Sequence, residues 1–156
     1  MYSTKHGRDD FRLFFFGITL LIYIKWWLIS PQEILSRNSP HDDTLFVSLA
    51  LNILEGEWLG HYNQLTLMKG SGYPLFIALS NLLAIPLIIS QELLYLGACL
   101  VFVIALRRLG LSTPKLLVGF AFLAFNPFTF NFFPNVYPFR FGIYPAVSLL
   151  VFGLAY

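Results

Sequence analysis

Apolar stretches separated by short polar breaks run along the chain. They are Leu13–Ile24, extended by Trp26, Trp27, Leu28 and Ile29; Tyr73–Ser90; Leu93–Leu106; Leu116–Phe125, with an extension towards Phe133; and Phe141–Tyr156. A bilayer core takes about 20 apolar helical residues. The first stretch, counted from Phe11, meets that length, and its Trp pair suits the membrane interface. It follows a mixed-charge head holding Lys5, Arg8 and Arg12, with no small-residue cleavage site after it, which predicts a retained anchor rather than a signal peptide.

The charges set the orientation. Cytoplasmic loops are enriched in Lys and Arg, and the basic head predicts a cytoplasmic amino terminus. If Tyr73–Ser90 and Leu93–Leu106 both crossed, Arg107, Arg108 and Lys115 would fall outside. Tyr73–Ser90 is the weaker span, with Pro74 and Pro86 near its ends and Asn81 within it, so it is predicted to lie in the outer interface. The expectation is an all-α integral membrane domain with about four transmembrane helices, at 11–29, 92–106, 116–130 and 141–156. The outer loop, 30–90, holds two interfacial helices. The predicted location is the cell membrane, multi-pass. The last span stops without a polar flank, which predicts a domain incomplete at its carboxyl end.

Composition removes the competing classes. Apolar residues make up 57% of the 156, only 12% are charged, and the mean hydropathy is +0.69. A soluble domain carries about a quarter charged residues, so a water-facing surface cannot be covered. With 17 Phe, one Cys, a net charge of +2 and no basic run, the chain is not disordered, disulfide-built or a nucleic-acid binder. Cys99, in GACLVF, reads as a small packing residue. No glycine fingerprint for a nicotinamide or flavin cofactor follows a strand.

The outer loop carries the chemistry. In HDDTLFVSLALNILEGEWLG, the residues Leu45, Phe46, Leu49, Ala50, Ile53 and Leu54 form one helical stripe, predicting an amphipathic helix on the membrane surface. Gly56 ends it. Asp42 and Asp43 stand at its head, where they cap the helix or, as adjacent carboxylates, serve as a general base or hold a divalent metal. Lys69 precedes a Gly-Ser-Gly turn. It either snorkels to the headgroups or forms a phosphate cradle with the turn's N–H groups; the nucleotide P-loop spacing is absent. Arg140, among aromatics in VYPFRFGIY, anchors a helix end at the headgroups. Lys25 lies about one turn inside the first span. Snorkelling past Trp26 and Trp27 is its default, and pairing with an outer-loop acid the alternative. His41 and His61 are isolated and read as surface polar residues.

These pieces come in a telling order: one span, Asp-Asp before an amphipathic helix, G-E-W, K-G-S-G-Y-P-L-F, a short apolar helix, a span ending in R-R-L-G, then N-P-F and R-F-G-I-Y. From about Phe11 to Tyr156 the chain resembles the amino-terminal part of the polyprenyl-phosphate-dependent membrane glycosyltransferases of the GT-C class. The nearest pattern is that of the protein O-mannosyltransferase and aminoarabinose transferase group. The resemblance implies that Asp42 lies at the catalytic centre, activating or orienting the acceptor, with Asp43 at the second acidic position. It implies that Lys69 and Arg140 neutralise the donor phosphate, whose negative charge grows as it departs. It also implies an interfacial helix after the Lys and a polyprenyl-phosphate sugar lipid as partner.

Two departures qualify it. Met68 stands where the aminoarabinose transferases have an acid, so a metal site of that kind is not indicated, and any cofactor stays unknown. Family members are much longer chains, so a partner chain supplying the missing spans is expected. Two classes stay open: a glycosyltransferase module acting on the extracytoplasmic face, and a non-catalytic truncated or accessory membrane protein keeping the front of the fold.

Overall fold

The structure, a computed structural model, describes residues 3–30, 41–58, 60, 70–126 and 143–155. These form six helices and, among the described residues, no strand: α1 (Ser3–Ile29), α2 (His41–Leu54), α3 (Gly72–Leu82), α4 (Leu87–Arg108), α5 (Thr113–Ala124) and α6 (Ile143–Leu154). The all-α expectation holds.

Two helices are long and apolar enough to cross a membrane, Asp9–Ile29 with 21 residues and Leu87–Arg108 with 22. At 1.5 Å per residue they measure about 31 and 33 Å, against a hydrocarbon core of about 30 Å. Only 22% of one and 33% of the other is buried, so neither is enclosed as the core helix of a soluble fold would be. Phe16, Tyr23 and Trp27 on α1 all point outward. The 12 residues each of α5 and α6 reach about 18 Å. Residues 127–130, 141–142 and 156 of the predicted third and fourth spans lie outside the described residues.

Helix ends follow local chemistry. α2 closes in a Schellman motif: Gly56 has φ 86, its N–H donates to Ile53 O at 3.1 Å, and Glu57 N–H donates to Asn52 O at 2.9 Å. Gly56 ends the helix as expected. The R-R-L-G segment is the end of α4, with Arg107 and Arg108 in the last turn, where the helix dipole favours cations, and Gly110 beyond at φ 84.

The boundary between α3 and α4 differs from expectation. The apolar run Tyr73–Ser90 is not one helix, and the second long helix starts at Leu87 rather than at Glu92. α3 stops at Leu82, and Ala84, at φ 53, donates to Asn81 O at 2.9 Å while Ile85 N–H donates to Ser80 O at 3.0 Å. This is the same closing motif as in α2, here with a non-glycine residue in the left-handed position. Pro86 then forces an extended approach and caps α4. α1 likewise begins at Ser3, before the apolar run from Phe11.

α5 packs against both α1 and α4, and α6 lies along α4. Phe14, Ile18, Tyr95, Cys99, Val103, Leu116, Phe120 and Ala146 form one buried core across these helices. Cys99, free and fully buried, is the packing residue its surroundings suggested. At one end of the bundle Thr113 Oγ1 donates to Asp10 Oδ2 at 2.8 Å, and the Arg107 guanidinium lies 4.7 Å from the Phe14 ring and 5.2 Å from that of Phe11. At the other end Tyr95 Oη donates to Leu123 O at 2.8 Å, and Lys25 faces Glu92. α1 and α5 therefore run the same way and α4 runs opposite.

The remaining helices form a second unit, α2 packed on α3. Phe46, Leu49 and Ala50 of the α2 stripe are buried. The expectation that this stripe faces lipid is corrected: α3 packs against α2, and Phe46 meets the Tyr73 ring of α3.

Candidate functional site

The Lys25 end of the bundle gathers the polar residues of interest. α2 begins at His41, which puts Asp42 and Asp43 in its first turn rather than at its cap. Acids there are favoured by the positive helix terminus. Phe46, one turn further on, packs edge-on against Tyr73, with ring centroids 5.2 Å apart and planes at 76°. Tyr73 is the second residue of α3. The start of α3 thus packs against the second turn of α2, one turn after Asp42 and Asp43 in the helix.

Lys69 and Arg140 lie outside the described residues, as do His61 and Met68. The structure therefore brings the acid-bearing helix to the start of α3, the helix that follows Lys69 in sequence.

The contacts continue into the bundle. Gln91 Nε2 donates to Tyr73 Oη at 2.9 Å, tying α3 to the second turn of α4. The next residue, Glu92, places Oε1 3.7 Å from Lys25 Nζ of α1. Lys25 is 0% exposed, and the Phe125 ring lies 6.0 Å from its Nζ. Snorkelling is thus overturned for Lys25, and pairing with an acid is what occurs. The reason is the earlier start of α4: its extra turn places Glu92 in the second turn of the helix, within reach of α1, instead of at its first residue. A continuous set of contacts links Phe46, Tyr73, Gln91, Glu92 and Lys25 across four helices.

Tyr73, Gln91 and Glu92 were not singled out from sequence. The usable signal was Lys25 itself, because an ionisable side chain inside a span almost always has a partner. Among the described residues no three His, Cys, Asp or Glu side chains converge as metal ligands.

No known protein family, curated protein or solved structure matches the chain.

Proposed function

We propose that the chain is a multi-pass membrane module of the GT-C type that moves a sugar from a polyprenyl-phosphate donor to an acceptor on the extracytoplasmic face. The observation that carries this reading is the Phe46–Tyr73 contact, which sets the helix bearing Asp42 and Asp43 against the start of the helix that follows Lys69. In this reading Asp42 takes the acceptor's proton or orients its nucleophile, and Asp43 lends the second charge. Lys69 and Arg140 receive the negative charge of the departing lipid phosphate.

The membrane arrangement has independent support. Arg107, stacked on Phe11 and Phe14, and Thr113, bonded to Asp10, gather the basic ends of α1, α4 and α5 at one side of the bundle. The positive-inside tendency makes that side cytoplasmic. α5 and α6 are then the third and fourth crossings. α3, with 11 residues, is too short to span at about 16 Å. Its exposed Leu75, Leu79 and Leu82, spaced along one face, suit the outer interface.

The test is sugar transfer from a polyprenyl-phosphate donor in membranes containing the chain or its Asp42→Asn variant. A positioned base contributes about 10²–10⁴-fold, so the variant is expected to lose at least about a hundredfold. Equal transfer would assign the chain to the non-catalytic class instead.

A further inference from the structure

A lysine within a membrane helix costs about 2.5–3.5 kcal/mol on insertion scales. Apolar residues of similar volume commonly replace a buried ion pair at no loss of stability. Stability alone therefore does not account for Lys25 and Glu92, and their placement carries the information. α5 packs on both α1 and α4, and α1 and α4 are bridged at each end of the bundle. At the far end Arg107 covers Phe11 and Phe14; at the near end Lys25 faces Glu92 at 3.7 Å.

Glu92 follows Gln91, the residue that holds Tyr73 of α3. Consecutive helical residues point about 100° apart, so the second turn of α4 reaches α3 with one side chain and α1 with the next. α3 has only a slight packing contact with α4 and joins it through the Ala84–Pro86 bend. Its seat depends on where that turn of α4 is held. Among the described residues Glu92 Oε1 has no hydrogen-bond donor, and the charge it faces is the Lys25 ammonium at 3.7 Å. An ion pair demands one rotation and one height of α4 against α1, whereas an apolar pair tolerates sliding.

We infer that Lys25 and Glu92 are a positioning pair: they fix the first turns of α4 and, through Gln91, keep the α2–α3 unit seated on the bundle. The inference does not depend on sugar transfer.

Ala78 and Ser80 of α3 are 2% and 4% exposed. They lie about 200° apart around the helix, so α3 is covered on two sides. The experiment uses the full chain in membranes, with Ala78→Cys or Ser80→Cys as reporter and the rate of alkylation by N-ethylmaleimide as readout. The native Cys99, 0% exposed, gives the background. In Lys25→Met/Glu92→Leu the folded yield is expected to match the parent while one reporter reacts about tenfold faster, a 1.4 kcal/mol change in seating. The charge swap Lys25→Glu/Glu92→Lys is expected to restore slow reaction. Gln91→Ala, which leaves the ion pair intact, is expected to speed the same reporter. Parent-like rates at both reporters in the apolar double variant would reduce the pair to packing. If that variant does not fold, parent-like rates in Gln91→Ala overturn the proposal equally, as does a folded swap variant that reacts fast.

Discussion

Gly153 of α6 lies so close to Phe102 of α4 that a Cβ on the glycine would stand 3.0 Å from both the backbone nitrogen and Cα of Phe102. Backbone atoms cannot swing aside, so the helices would have to separate. Small residues at such crossings are how membrane helices gain close contact where no hydrophobic drive exists between them. Ala146, two turns earlier on α6, is also fully buried. Gly153→Ala is expected to cost about 1–3 kcal/mol through overpacking, read as a lower melting temperature in detergent. Gly119, around which a Cβ meets nothing within 4 Å, is the control. Gly119→Ala should be neutral or stabilising by up to about 1 kcal/mol, from helix propensity.

Ala84 occupies the left-handed position that closes α3, at φ 53. An L-residue pays roughly 1–2 kcal/mol there and glycine does not. Ala84→Gly should therefore raise stability by about 1 kcal/mol, and Gly110→Ala at the end of α4 should lower it by a similar amount. Thermal unfolding of the two variants side by side checks both signs.

Thr113, 2% exposed, donates to Asp10 at 2.8 Å and pins the start of α5 to α1. Thr113→Val keeps the shape and removes the donor. Hydrogen bonds to charged groups are worth about 1.5–3 kcal/mol, and the partly buried setting favours the lower end of that range. Thr113→Ser, which retains the hydroxyl, should recover most of the loss.

The proposed orientation gives a topological expectation. Ser71 precedes α3 and Ser112 precedes α5, at opposite ends of the bundle. In intact cells a membrane-impermeant maleimide should label Ser71→Cys from outside and reach Ser112→Cys only after permeabilisation. Labelling of both from one side would contradict the arrangement.

Punctuation by glycine was legible in the sequence. Gly56 after an apolar stripe and Gly110 after paired arginines each end a helix, because the left-handed closing residue has a compositional mark. The end of α3 carries no such mark, since alanine holds the position, and the run from Tyr73 to Ser90 therefore read as one element. That hid the true start of α4 and with it the partner of Lys25. The α2 stripe was legible as a stripe, yet hydrophobicity alone does not tell lipid from a neighbouring helix, and α3 turned out to cover it. For the site, the Asp pair's place at a helix start was visible from spacing. The Tyr73–Gln91 bond was not, because it joins residues whose types carry no signal until the bend at Ala84 folds α3 back over α4.

The Lys25–Glu92 pair also has a history within each molecule's synthesis. The two residues are 92 − 25 = 67 positions apart, which at about 5–20 residues per second is roughly 3–13 s of translation. During that interval α1 is already made and its lysine has no carboxylate to meet. The buried pair can therefore form only once the start of α4 has been made, although half of it stands ready in α1 from the outset.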